Sequence, residues 1–169
     1  RVGSDRFGQH PQLLNVQKGV LDLRTAQLTP HEPAQRLTYC LATPYDPTAP
    51  VDHWTAFLET VIDGGQPVID FLQMFMGYSL TGLTREECLL YLYGESRSGK
   101  GTITESFLQL LGRPLGASIG FETFIRRRDA GDQGFDLAPL RPARAIVASE
   151  SNERDALNAA AIKHMTGGD

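Results

Sequence analysis

A glycine-rich run around one lysine, residues 94–102, gives the clearest chemical signal in the chain. Glycines let successive backbone N–H groups converge on an anion, and a helix that begins at such a loop adds the positive end of its dipole. A lysine ammonium can reach the β- and γ-phosphates as a mobile point charge. The run therefore predicts an ATP-binding P-loop in which Lys100 is also catalytic, and its residues are Gly94, Glu95, Ser96, Arg97, Ser98, Gly99, Lys100, Gly101 and Thr102.

The loop departs from the usual pattern at one position. A Ser or Thr normally follows the P-loop lysine directly, whereas here Gly101 follows Lys100 and Thr102 comes one residue later. The same Gly-Lys-Gly-Thr order occurs in adenylate kinases. The departure concerns which hydroxyl meets a Mg²⁺ ion, for which Thr102 is the candidate, and it leaves the prediction of phosphate binding intact.

A P-loop needs an acidic partner, which usually lies at the end of a neighbouring strand. The apolar run 145–148 is followed by Ser149 and Glu150. Ligands of open α/β sheets bind at the carboxyl ends of the strands. Glu150 is therefore predicted to be a catalytic residue and a Mg²⁺ ligand, with Ser149 as a further contact to the ion. A solvated carboxylate at a strand end is the alternative.

The elements around the loop predict an α/β fold. The apolar run 88–93 suits a strand buried on both faces of a parallel sheet, and residues 102–111 have helix spacing. Residues 1–50 are predicted to hold a β-hairpin and a linker. Residues 51–83 form a small helical domain, with Asp52 capping its first helix and an apolar, buried second helix. Residues 84–169 form a P-loop NTPase core built on a parallel sheet.

Composition bounds the function classes. The chain has 169 residues, of which 41% are hydrophobic and 21% charged, an ordinary globular balance. No run approaches the ~20 apolar residues that span a bilayer, so no membrane partner is expected. The formal net charge of −4 argues against nonspecific coating of nucleic acid. Cys40 and Cys88 lie far apart, which predicts reduced, buried thiols and a cytoplasmic protein.

The order and spacing of these features resemble the phage and plasmid primase–helicases, whose motor belongs to helicase superfamily III. The resemblance is carried by residues 13–23, 71–82, 92–102, 136–140 with 144–150, and 162–169. It implies a partial, AAA+-like core and an ATP- and Mg²⁺-dependent helicase that unwinds DNA in replication. The expected partners are single-stranded or forked DNA and further copies of the chain in a homo-oligomeric, hexameric ring.

The resemblance also bears on what surrounds this motor. Relatives often carry a primase domain upstream, and their sensor asparagine and arginine finger are expected beyond Asp169. An arginine finger contributes several orders of magnitude to hydrolysis, so the fragment is expected to bind nucleotide and to hydrolyse it weakly. The candidate contacts to DNA or to a neighbouring subunit are Arg126, Arg127, Arg128, Arg144 and Lys163. For each of these residues, an ordinary surface position is the alternative.

Two other functions remain open from the sequence. The Gly-Lys-Gly-Thr order also suits a small-molecule kinase, although such kinases usually begin at their P-loop strand and here more than half of the chain precedes the loop. A non-catalytic, prophage-derived assembly module would suit an incomplete set of motor motifs.

Overall fold

The computed structural model describes residue 8 and residues 10–121, 140–149 and 159–167. The first unit along the chain is a small antiparallel sheet. Its strands are β1 (Leu13–Val16), β2 (Gly19–Asp22) and β3 (Gln27–Thr29), paired in the order β1-β2-β3. The predicted hairpin is confirmed, and Gly19 at its turn has a φ of 154°, a value that favours glycine.

Two helices follow a single 3-10 turn at Pro33–Gln35. They are α1 (Asp52–Val61) and α2 (Gln66–Leu80). The prediction that Asp52 caps α1 is wrong, because Val51 occupies the cap position. Asp52 is instead the first helical residue, where a carboxylate still interacts favourably with the helix dipole.

The second helix is less buried than its apolar sequence predicts. Ile69 and Leu72 of α2 are buried, but Val68, Phe71 and Met74 are exposed. The side chains of a helix point in different directions around its axis, so only one stripe of α2 packs against α1 and α3. The prediction of a helix buried almost all round is therefore wrong.

The second half of the described chain contains helix α3 (Lys100–Leu111), strand β4 (Gly116–Gly120), strand β5 (Ala145–Ser149) and helix α4 (Ala159–Gly167). Strands β4 and β5 pair in parallel from Gly116↔Ala145 to Gly120↔Ser149. The sequence predicts β5 but not β4, whose Gly-Ala-Ser-Ile-Gly sequence has little strand preference. The larger parallel-sheet core stays a prediction, since the parallel sheet of the described residues has these two strands.

The segment before the loop differs from its prediction. Residues 88–93 form no assigned strand and have no strand partner within the described ranges. Leu90 and Leu92 pack inward, while Tyr91 and Tyr93 are 71% and 82% exposed. This alternation is that of an extended chain with one covered face, so the prediction of burial on both faces is wrong for the described structure.

Helix α3 holds the two halves of the molecule together because it contributes to both hydrophobic clusters. Phe107 and Leu111 pack with the N-terminal sheet, whereas Ile103 packs with α1 and α2. The first cluster contains Leu14, Val16, Leu21, Leu41, Phe107, Leu111 and Leu115. The second contains Leu58, Ile69, Leu72 and Ile103. The two clusters join residues from all three predicted domains, 1–50, 51–83 and 84–169. Packing with all three domains therefore fixes the position of α3, whose first residues end the loop.

Two other expectations concern the surface. Cys40 and Cys88 are exposed free thiols, so the prediction that they are buried is wrong. In the part of the chain that the structure describes, no helix combines the length and the apolar character that a membrane span requires.

Candidate nucleotide site

The loop of residues 94–102 joins the extended segment to the first turn of α3. Its backbone turns through Gly94 at a φ of 149°, Arg97 at 63° and Gly99 at 83°. Left-handed residues next to right-handed ones turn successive N–H groups to the same side, which makes a concave site for anions. Lys100, the first residue of α3, adds a helix N-terminus to that concave side.

The Lys100 side chain folds back into the loop. Its Nζ atom donates to the backbone oxygens of Gly94 at 2.9 Å and Glu95 at 2.7 Å. It also donates to Ser98 Oγ at 3.0 Å. An ammonium group has three donors, and these three contacts use all of them. The loop is therefore closed around the Lys100 ammonium group. A bound phosphate would replace some of the carbonyl oxygens as the acceptor of the Nζ hydrogens.

Helix α1 supports the loop from outside. A Cβ atom added at Gly99 would lie 2.9 Å from Cγ1 and 3.0 Å from Cβ of Val61, which is closer than carbon atoms pack. Only glycine at this position allows the last turn of α1 to lie against the loop. The same glycine also supplies the left-handed conformation, so it has two separate structural roles.

An open cavity of about 690 Å³ lies between α1 and the start of α3. Drug-sized and cofactor-sized ligands occupy cavities of roughly 300–1,000 Å³. Its walls differ in chemistry, because the loop and α3 contribute mostly polar residues and α1 contributes only Phe57 and Val61. The lining residues are Phe57, Val61, Ser96, Arg97, Ser98, Gly99, Lys100, Gly101, Thr102 and Glu105.

The residues that follow Lys100 bear on the Mg²⁺ ligand. Thr102 is exposed and lines the cavity, which fits a hydroxyl that joins a metal shell. Gly101 occupies the place of the usual hydroxyl, and a Cβ atom there would meet nothing within 4 Å. Its φ is not positive, so the backbone does not require glycine here. Among the described residues there is no group of three or more His, Cys, Asp or Glu that could hold a metal.

The predicted acidic partner lies at the edge of what is described. Ser149 is the last residue of β5 and is exposed, whereas Glu150 lies outside the described residues. The sheet that ends at Ser149 pairs β5 with β4, whereas the prediction needs β5 beside the segment that leads into the loop, so the predicted pairing of the two motifs stays a prediction. None of the hydrogen bonds or cavity contacts found in the described ranges joins Ser149 to the loop.

Arg144 is turned into the molecule. Its guanidinium donates to the backbone oxygen of Leu80 at 2.6 Å and to that of Leu13 at 2.8 Å. It also donates to the Tyr39 hydroxyl at 3.1 Å and lies 5.7 Å from the centre of that ring. These contacts tie the end of α2 to the N-terminal sheet. The predicted contact of Arg144 with DNA or a neighbouring subunit stays a prediction, but these donors are engaged within the chain.

The Tyr39 hydroxyl is the polar centre of this cluster. It donates to the backbone oxygen of Leu13 at 3.0 Å. Burial raises the pKa of Tyr39, and the neighbouring Arg144 cation opposes that rise. Burial likewise lowers the pKa of the Arg144 guanidinium, although an arginine remains charged over any ordinary pH range.

The other candidate contacts are less defined. Lys163 is exposed on α4, which suits either a surface position or a contact with DNA. Arg126, Arg127 and Arg128 lie outside the described residues. Sequence reasoning missed Phe57 and Val61 as parts of the site. Phe57 and Val61 are four residues apart, which places them on one face of a helix, but the spacing cannot show that this face meets the loop.

Comparison with known proteins bears on the part of the chain ahead of the loop. No curated protein sequence matches the chain significantly. The family model described as D5 N terminal like matches residues 1–63, which include β1, β2, β3 and α1. The matched residues therefore provide Phe57 and Val61 of the cavity but none of the loop. The N-terminal part of the chain is thus similar to a domain of the phage and viral primase–helicases of the D5 family.

Proposed function

We propose that this chain is the ATP-binding part of a phage-type DNA primase–helicase motor that hydrolyses ATP to unwind DNA during replication. The observation that carries the proposal is the loop closed by Lys100 at the start of α3. The similarity of residues 1–63 to the D5 N-terminal domain supports a primase–helicase context for this loop. Single-stranded or forked DNA and a hexameric ring of identical chains are the partners that this class implies.

The residues of the site suit ATP with Mg²⁺. The concave loop and the helix N-terminus offer N–H donors to phosphate oxygens, and Lys100 exchanges its carbonyl contacts for the β- and γ-phosphates. Thr102, which lines the cavity, would contact the ion, and Ser149 and Glu150, which follow one another in the sequence, would be its partners. The bound Mg²⁺ would neutralise charge that develops between the β- and γ-phosphates.

The first test replaces the lysine. In the chain, Lys100→Ala is expected to reduce ATP affinity at least tenfold, because it removes the cation at the centre of the loop. Lys18→Ala, at an exposed turn of the hairpin, is the matched control and should leave affinity unchanged. Titration calorimetry with Mg²⁺ and ATP measures both variants. Equal affinities of the two variants would reject the assignment of the loop.

The second test addresses turnover. Glu150→Gln is expected to preserve ATP binding and to stop ATP hydrolysis, while Glu59→Gln, at an exposed position of α1, serves as the control. DNA should stimulate the hydrolysis of the wild type. Transfer of the γ-phosphate to a small acceptor in place of water would support a small-molecule kinase. ATP binding without turnover, with or without DNA, would support an assembly module.

A further inference from the structure

Helix α1 ends directly against the loop. Val61 is its last residue, and a Cβ atom added at Gly99 would lie 2.9, 3.0 and 3.2 Å from Cγ1, Cβ and Cγ2 of Val61. At such distances no other side chain fits between the two residues. Gly99 is also the N-cap of α3, and its carbonyl oxygen accepts a hydrogen bond from the Ile103 N–H group at 3.0 Å. Val61 therefore contacts the point at which the loop becomes a helix.

Phosphate binding requires this part of the loop to change. The Lys100 ammonium group has three donors, and all of them are used within the loop, on the carbonyl oxygens of Gly94 and Glu95 and on Ser98 Oγ. Lys100 can donate to phosphate oxygens only by releasing some of these acceptors. Ser98 and Lys100 flank Gly99, and glycine changes its backbone conformation at low cost. A rearrangement of the Lys100 contacts is therefore expected to move the backbone at Gly99.

The packing of α1 can carry such a movement to Trp54. Trp54, Phe57 and Val61 have the spacing of one helix face, and all three pack against the cluster that contains the buried Leu58. The rings of Trp54 and Phe57 have their centres 5.7 Å apart at a tilt of 34°. Close-packed side chains transmit a displacement to their neighbours, because they have little free volume in which to absorb it. Trp54 lies about two helical turns, or roughly 10 Å, from Val61 along α1.

We infer that the contact between Val61 and Gly99 transmits phosphate binding at the loop to α1, so that the N-terminal part of the chain senses whether the nucleotide site is occupied. The inference rests on the proposed function, since it assumes that the loop binds phosphate. Helix α1 belongs to residues 1–63, which match the D5 N-terminal model. Coupling of this kind is reciprocal, so a helix that must move when phosphate binds also opposes that binding.

The probe for this coupling is tripolyphosphate with Mg²⁺, because it has no base that could quench tryptophan directly. Trp54 is the one tryptophan of the chain, and calorimetry measures binding independently of its fluorescence. In the wild type, tripolyphosphate is expected to change the Trp54 emission with the same midpoint as the calorimetric titration. Val61→Ala should lose most of that change. It should bind tripolyphosphate equally well or up to about fivefold more tightly, because α1 no longer has to move.

Two variants serve as controls. Val61→Ile keeps both of the γ-carbon atoms that contact Gly99, so it should retain the emission change. Val68→Ala makes the same substitution as Val61→Ala at a position of α2 that is 43% exposed. It should leave the emission change and the affinity for tripolyphosphate as they are in the wild type. Urea unfolding of each variant identifies conditions in which all of them are folded.

The outcomes separate the inference from the proposed function. Tripolyphosphate that binds the wild type without changing the Trp54 emission would overturn the inference and leave the proposed function in place. A full emission change in Val61→Ala would also overturn it. Weaker binding of tripolyphosphate by folded Val61→Ala would show that α1 only supports the loop, which contradicts the coupling. No calorimetric binding of tripolyphosphate or ATP to the wild type would reject the proposed function and the inference with it. Loss of the emission change in Val61→Ala at undiminished affinity, with the change retained in Val61→Ile, confirms the inference.

Discussion

Replacing Gly99 by alanine tests how helix α1 and the loop depend on each other. Gly99 has a φ of 83°, and in this left-handed region a side chain costs about 1–2 kcal/mol. The added Cβ atom would also lie 2.9 Å from Cγ1 of Val61. Overpacking of this kind typically costs about 1–3 kcal/mol. Together the two contributions predict a fall of about 2–5 kcal/mol in the free energy of unfolding.

The two contributions can be separated with a second substitution. Val61→Ala removes both γ-methyl groups, which lie 2.9 and 3.2 Å from the added Cβ atom, and keeps Cβ at 3.0 Å, so it relieves part of the contact without changing the φ of Gly99. In a double-mutant cycle, Gly99→Ala and Val61→Ala should therefore couple favourably by about 1 kcal/mol or more. Gly101→Ala is the matched control, because its Cβ atom would meet nothing within 4 Å. That variant should be neutral or more stable by about 0.5–1 kcal/mol.

Urea unfolding followed by tryptophan fluorescence measures each variant, since Trp54 is the one tryptophan of the chain and lies on α1. Tripolyphosphate binding should fall in Gly99→Ala and recover in part in the double variant. Equal stabilities of Gly99→Ala and Gly101→Ala would refute the argument. Strict additivity of Gly99→Ala and Val61→Ala would refute the role of the helix contact and leave only the effect of φ.

Three further predictions concern the site and the polar cluster around Arg144 and Tyr39. Gly101→Ser places a hydroxyl at the usual P-loop position without a steric conflict, so Mg²⁺-ATP affinity should rise or stay equal; a large loss in calorimetric titration would contradict this. Arg144→Met should lower the free energy of unfolding by about 2–4 kcal/mol, since hydrogen bonds from a charged donor contribute about 1.5–3 kcal/mol each. Arg141→Met, at an exposed position nearby, should change it by less than about 0.5 kcal/mol. Equal losses for the two variants in urea unfolding would refute the stabilising role of the Arg144 hydrogen bonds. Burial raises the pKa of Tyr39 above its ordinary 10.0, so the neutral hydroxyl is favoured in the folded chain. The resulting stability is lost as the pH rises beyond about 10. Above pH 10, the free energy of unfolding should therefore fall less steeply with pH in Tyr39→Phe than in the wild type, and identical slopes would contradict the prediction.

Local rules were enough where one short stretch of chain decides its own structure. The turn at Gly19 and the end of α3 before Gly112 follow from glycine conformations and apolar spacing, whereas α3 begins at Lys100, two residues before the predicted helix start. The loop of residues 94–102 belongs to the same class, because its glycines and its lysine lie in one continuous run. A pattern of this kind specifies backbone shape and charge without help from distant residues.

Tertiary structure decided everything that depends on which faces meet. Phe57 and Val61 have the spacing of an ordinary core helix, and only the packing of α1 against the loop turns them into a cavity wall. From the sequence, Arg144 could be an ordinary surface cation, but in the structure it donates hydrogen bonds to carbonyl oxygens of two distant segments. The apolar run 88–93 predicts a doubly covered strand, but covering a strand requires neighbours, and its own sequence cannot supply them. A sequence specifies which groups are available, whereas the partners of those groups are set by contacts between residues far apart in the chain.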